Sequence, residues 1–143
     1  MRTFKETLEL VRDAHAGQTD KGGQPYWHHL LRVATNMGPG ATEEERITAL
    51  LHDIIEDGAI YPPRLKALGY SDEVVEAVVL LTRDGGPISY FKYIERIATS
   101  GNRTAIRVKL SDLDDNLSPL RPINPSLRLR YRKATEILQG ALR

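Results

Sequence analysis

Apolar residues recur every three to four positions along almost the whole chain, and no segment alternates with period two. That spacing puts apolar side chains on one face of a helix and leaves nothing for a sheet to bury. Phe4, Leu8, Val11 and His15 predict a first helix from about Thr3 to His15, with Thr3 and Glu6 spaced as a capping box. Gly17 to Gln24 reads as a loop, and Pro25 is placed to open a second helix reaching about Met37, where Gly38-Pro39-Gly40 stops it. Thr42 and the acids Glu43, Glu44 and Glu45 predict a third helix, running past Ile47, Leu50, Leu51 and Ile54 to near Gly58. Pro62 and Pro63 begin a short helix ending near Gly69, and Ser71 caps the next. The latter contains Val74, Val75, Val78 and Val79, residues that favour strands. Its acidic first turn and the lack of any partner strand favour helix instead. Ser89 caps a helix to about Thr99 and Asn102 one to about Leu117. Pro119, Pro122 and Pro125 make a stiff connection, and Ser126 caps a last helix. The expected fold is an all-α bundle of about seven or eight helices, with residues 1–143 forming a single domain.

Composition narrows the chemistry. There is no cysteine, so disulfides, thiolate metal sites and a cysteine nucleophile are excluded. Twenty basic and 19 acidic residues give a net charge of +1, which argues against a nucleic-acid binder. The charge is uneven: Arg121 to Arg143 carries six basic residues and one acidic, a local +5, so the remainder is −4. A solvated basic helix face is the ordinary reading of such a segment, and an anion-facing wall the less common one. No apolar run backs the N-terminal charges and none approaches a membrane span. A cytoplasmic protein is the expectation.

Only four histidines are available: His15, His28, His29 and His52. The informative polar residues lie in three clusters inside apolar surroundings: Pro25 to His29, Leu50 to Asp57, and Lys109 to Asn116, the first two of which hold His28, His29 and His52. If the second cluster is helical, His52 lies under Glu56 and Asp53 under Asp57. Asp112 and Asn116 share a face in the same way. Burying an uncompensated carboxylate is costly, so these groups either face water or meet a cation, and spacing alone leaves both open. Imidazole and carboxylate without thiolate suit Mn²⁺, Fe²⁺ or Zn²⁺ better than Ca²⁺. His28 and His29 diverge by about 100° on a helix and are not expected to bind one ion together. His15 is expected to be a core or capping residue. Tyr26, Trp27, Tyr90, Phe91 and Tyr93 are expected mainly to pack. The basic residues Arg103, Arg107, Lys109, Arg128, Arg130, Arg132 and Lys133 are candidates for phosphate contact. Gly85-Gly86-Pro87 reads as a plain turn.

These residues resemble the HD-domain phosphohydrolases, and among them the hydrolase domain of the RelA/SpoT family and the small alarmone hydrolases. Ala14-His15-Ala16-Gly17-Gln18, with Lys21, Gly23, Pro25, Tyr26 and His29, is similar to that family's opening motif. Leu-Leu-His-Asp-Ile-Ile-Glu-Asp, residues 50–57, is similar to its central motif, and Lys109-Leu110-Ser111-Asp112 with Asn116 to its last. The resemblance implies an all-α HD bundle and one divalent ion, Mn²⁺, on His29, His52, Asp53 and Asp112. It implies that Glu56 and Asp57 orient and deprotonate water, and that Lys21 and Asn116 contact substrate. The implied activity is hydrolysis of a small phosphorylated nucleotide, first a (p)ppGpp-like 3′-pyrophosphate. Hydrolysis of another nucleotide phosphate, or a catalytically silent nucleotide- or metal-binding domain, are the alternatives. No histidine follows His52, which favours a single ion over the two-metal sites of other HD proteins.

The chain also departs from the pattern. Where the family has an Arg before Lys21, this chain has Asp20, which places a carboxylate in a loop that meets polyphosphate. Leu30 replaces the Pro after the histidine ligand. Leu113-Asp114-Asp115 stands where the family more often shows Arg-Leu-His. The metal motif is complete while the substrate motif is altered.

Overall fold

A computed structural model describes residues 2–83, 89–119 and 121–143. Among them are eight helices: α1 (Phe4–Ala14), α2 (Tyr26–Thr35), α3 (Glu43–Leu51), α4 (Pro62–Ala67), α5 (Asp72–Leu81), α6 (Tyr90–Thr99), α7 (Arg103–Asn116) and α8 (Pro125–Ala141). The all-α expectation is borne out, and each helix begins where local chemistry favours it. Thr3 and Thr42 close complete capping boxes with Glu6 and Glu45, so orphan amides at both N-termini find side-chain acceptors. Ser71, Ser89 and Asn102 accept from amides three residues on. The valine-rich segment is helical, with Val74, Val75 and Val78 buried. Gly85-Gly86-Pro87 lies outside the described residues.

Two expectations need correction. The last helix is capped by Asn124, whose Oδ1 accepts from Leu127 N at 2.8 Å, and Pro125 sits in its first turn. Ser126 is therefore already helical, because Pro125 supplies a helical φ and lacks the amide that a helix start leaves unpaired. The third helix stops at Leu51, and residues 52–58 form consecutive turns. The cause is local. His52 N and His52 Nδ1 both donate to Ala49 O, at 3.4 and 2.6 Å, and occupy the carbonyl that Asp53 N would need for α continuation.

α3 runs through the middle of the bundle. Ile47, Leu50, Leu51 and, just beyond it, Ile54 are fully buried among Val11 of α1, Leu30 and Val33 of α2, Val78 of α5 and Leu113 of α7. α2, α3 and α7 pack against one another, and the C-terminus of α3 meets the first turns of α2 and the last turns of α7. α8 covers α6 and α7 and buries Ala134 and Leu138. Among the described residues no helix is long and apolar enough to cross a membrane.

Candidate functional site

The three sequence clusters meet at that junction. His29 projects from the first turns of α2, His52 and Asp53 from the turn after α3, and Asp112 from the last turns of α7. His29, His52 and Asp53 each offer a donor atom within 4.8 Å of the others. Asp112 joins through Oδ1, which lies 2.9 Å from His29 Nε2 and 3.4 Å from His52 Nε2. Both histidines are buried, at 1% and 2% exposure.

Each imidazole is tethered at Nδ1 and turns Nε2 inward. His52 Nδ1 donates to Ala49 O, and His29 Nδ1 lies 2.6 Å from Asp115 Oδ2. His52 Nε2 is 3.2 Å from Asp53 Oδ2 and 3.4 Å from Asp112 Oδ1, but among the described residues it has no hydrogen-bond partner in good alignment. A ring whose Nδ1 carries the proton has a lone pair at Nε2. Buried between two carboxylates, that lone pair is repelled unless a proton or cation stands there. The same field acts on protonation: burial opposes charge on His52, but Asp53 and Asp112 outweigh it and raise its pKa well above the ordinary value. Burial would raise Asp53 and Asp112, but the facing histidines, and Lys109 for Asp112, hold both carboxyls low. Two histidines and two carboxylates with an orphaned nitrogen fit a divalent ion of the Mn²⁺, Fe²⁺ or Zn²⁺ type.

The surrounding groups differ from expectation in instructive ways. Lys109 is a phosphate candidate by sequence, but here Nζ donates to Asp112 Oδ2 at 2.8 Å and lies over the Tyr93 ring. Arg107 pairs with Glu45 at 2.6 Å. Arg130 sits over Tyr90 and Lys133 over Phe91, so the basic face of α8 is partly spent on packing against α6. Tyr26 does more than pack: its hydroxyl donates to Asp53 Oδ2. Burial, then the charge of Asp53, pushes its pKa far above the usual value, so it stays a donor. His15 is buried, bonds Gln18 through Nδ1 and stacks near Tyr26, in keeping with a core role. His28 packs edge-on against Trp27 and does not join the cluster.

Glu56 and Asp57 lie on the exposed side of the same turn. Glu56 accepts from Arg83 N, and Asp57 from Gln18 Nε2 at 3.3 Å. Partial desolvation of the Glu56 carboxyl, opposed by the Arg83 amide, raises its pKa. Asn116 Nδ2 reaches Asp112 Oδ1 at 3.4 Å, one turn along α7. Lys21 is exposed on the 17–25 loop and is not part of the cluster. Asp20 turns inward: Oδ1 accepts from Gly22 N at 2.9 Å and Gln24 N at 3.0 Å, and its side chain is 2% exposed. Its charge is used to fold the loop, which the bridge between Thr19 and Pro25 closes.

Sequence reasoning missed Asp115 and Arg32. Asp115 is buried between His29 and the Arg32 guanidinium, which donates Nε to Oδ1 at 2.8 Å and NH2 to Oδ2 at 3.2 Å. Its signal was present: Asp115 follows Asp112 by three and shares its helix face.

No family model matches the chain. It is 33% identical over 135 residues to a guanosine-3′,5′-bis(diphosphate) 3′-pyrophosphohydrolase of Haemophilus influenzae, covering 88% of this chain and 20% of that protein. It is 32% identical over 143 aligned residues to the bifunctional (p)ppGpp synthase/hydrolase SpoT of Escherichia coli, covering 94% and 20%. The chain thus spans about one-fifth of the length of these curated relatives. A solved structure described as a metazoan ortholog of SpoT that hydrolyzes ppGpp matches with a TM-score of 0.78 and 25% identity, covering 98% of this chain and 85% of that one.

Proposed function

The chain is similar over nearly its whole length to SpoT-type (p)ppGpp hydrolases, as its motifs led us to expect, and on that premise we propose that residues 1–143 act as one HD-type phosphohydrolase domain. Its first candidate substrate is a (p)ppGpp-like nucleotide, from which it removes the 3′-pyrophosphate in the cytoplasm. One divalent ion, Mn²⁺, is held by His29, His52, Asp53 and Asp112. The observation that carries this reading is the buried His52 Nε2, faced by Asp53 and Asp112 at 3.2 and 3.4 Å with no well-aligned hydrogen bond to either.

When bound, the ion supplies Lewis acidity and a water of lowered pKa at neutral pH. The remaining work belongs to side chains. Tyr26 donates to Asp53 Oδ2 and holds that carboxylate in place against His52. Lys109 neutralises the second oxygen of Asp112 and so limits the negative charge that an incoming polyphosphate meets. Glu56, with its raised pKa, accepts the proton of the attacking water, and Asp57 orients it. Asn116 and Lys21 contact the substrate, Lys21 from an exposed loop able to approach phosphate.

Asp20 favours a second substrate reading. The loop lacks the family's arginine, and its carboxylate serves the loop itself. Another nucleotide phosphate ester therefore remains the alternative. The test is a nucleotide panel incubated with Mn²⁺, with products identified by mass spectrometry. Pyrophosphate release from (p)ppGpp by wild type, abolished in Asp53→Ala, supports the leading reading. Equal background release by both proteins on every nucleotide refutes it, and turnover of another phosphate ester alone moves the assignment to the second.

A further inference from the structure

α7 presents two carboxylates to one imidazole. Asp112 and Asp115 are three residues apart and share a face, and His29 lies between them with a ring nitrogen toward each. Nε2 is 2.9 Å from Asp112 Oδ1 and Nδ1 is 2.6 Å from Asp115 Oδ2. The two acids are held differently. Asp112 borders His52 and takes Lys109 on its other oxygen, so it faces the ion site. Asp115 is 2% exposed, is gripped by Arg32 through both oxygens, and has Arg121 NH1 3.8 Å from Oδ2. With those cations beside it and His29 on it, Asp115 is a fixed acceptor pointing at Nδ1 from behind the ring.

We propose that Asp115 is a positioning residue of the ion site: it holds the Nδ1 proton of His29 and so commits Nε2 to the cation. A carboxylate behind a ligating histidine fixes tautomer and ring orientation and raises the basicity of the ligating nitrogen. His52 achieves the same end with a backbone carbonyl, Ala49 O, so the two imidazoles converge on one point by different means. Asp115 stands where the resembling family more often shows histidine, so this acceptor is a property of this chain and its partner Arg32. The inference rests on the cation reading above.

The experiment is an Mn²⁺ titration of the full chain, with free ion followed by electron paramagnetic resonance. It is paired with long-range ¹H–¹⁵N spectra of the His29 ring in Zn²⁺-loaded protein. Asp115→Leu is expected to weaken Mn²⁺ binding by about 10- to 100-fold. Asp115→Asn keeps an oxygen that accepts from Nδ1–H and is expected to stay within about threefold of wild type. The wild-type spectrum is expected to show His29 protonated at Nδ1 and bound through Nε2. Wild-type affinity in a folded Asp115→Leu, or a wild-type ring bound through Nδ1, overturns the proposal, and the spectrum decides even if Asp115→Leu fails to fold. Failure of the wild type to bind either ion overturns the cation reading and this role with it. Full Mn²⁺ effects without turnover of any nucleotide overturn the proposed activity alone and support the role of Asp115.

Discussion

His52 shows how much a single side chain decides here. Its Nδ1–H takes Ala49 O, which ends α3 and at the same time turns Nε2 toward Asp53, Asp112 and His29. One hydrogen bond thus both terminates a helix and aims an imidazole nitrogen at the cluster. Glu56 is the residue whose chemistry is most directly testable. Glu56→Gln keeps size and an acceptor for Arg83 N but cannot take a proton. Turnover is expected to fall by about 10²- to 10⁴-fold, with Mn²⁺ affinity unchanged, read from kcat and an ion titration side by side. Equal turnover in Glu56→Gln would remove it from the proton-handling role. Because desolvation raises the Glu56 pKa, the wild-type rate should fall on acidification at a pH above the ordinary glutamate value. That acidic limb should vanish in Glu56→Gln.

At the scale of elements, the helix starts were legible except that of α8, and the end of α3 was not. Thr3, Thr42, Ser71, Ser89 and Asn102 are side chains that satisfy orphan amides wherever they precede an apolar-periodic run. Helix ends depend on competition for carbonyls, which composition does not reveal. The apolar run from Ile47 to Ile55 continued past the true end of α3 because Ile54 is buried from a turn rather than from a helix. Thr42→Ala should therefore cost about 1 kcal/mol, since it removes the Thr42 Oγ1 acceptor of Glu45 N. A lower urea midpoint with an unchanged m-value would report it. Gly58 closes the site turn under tighter constraint. A Cβ there would lie 3.0 Å from Ile54 O, 3.1 Å from Ile54 Cγ1 and 3.2 Å from Ala14 Cβ. Gly58→Ala is expected to cost about 1–3 kcal/mol by overpacking. It should also lower Mn²⁺ affinity, because the turn carries His52 and Asp53. A variant as stable as wild type would show that the turn can give way.

For the whole molecule, the buried charges set how stability follows pH. Asp53, Asp112 and Asp115 have lowered folded-state pKa values. Their contribution is present above the unfolded value near 3.9 and is lost as pH falls through the folded values. His52 has a raised folded-state value, so its contribution in the cation-free protein is complete below about 6.5 and is lost as pH rises through the folded value. Thermal unfolding of the cation-free protein should show Tm falling in strong acid and again on the alkaline side. Mn²⁺ should raise Tm more at alkaline than at mildly acidic pH, since binding requires His52 to release its proton. An Mn²⁺ effect independent of pH would argue against His52 as a ligand.

The sequence by itself determined the helical class, the places where all helices but the last begin, and the residue types able to hold a hard or borderline cation. These follow from near-neighbour rules: periodicity, caps, prolines and the absence of thiols all act within a few residues. Three ordered motifs also pointed to the right relatives. Only the tertiary structure decided which polar residues face one another. Asp115 and Arg32 sit 83 residues apart in sequence, and their pairing exists because α2 and α7 pack side by side. Asp20 reads as a charge aimed at substrate until the loop is seen folded around it. Lys109 reads as a phosphate ligand until it is found against Asp112. The partner of Asp115 is 83 residues away, while those of Asp20 and Lys109 lie within four, yet in each case what the buried charge does is set by the group that folding places opposite it.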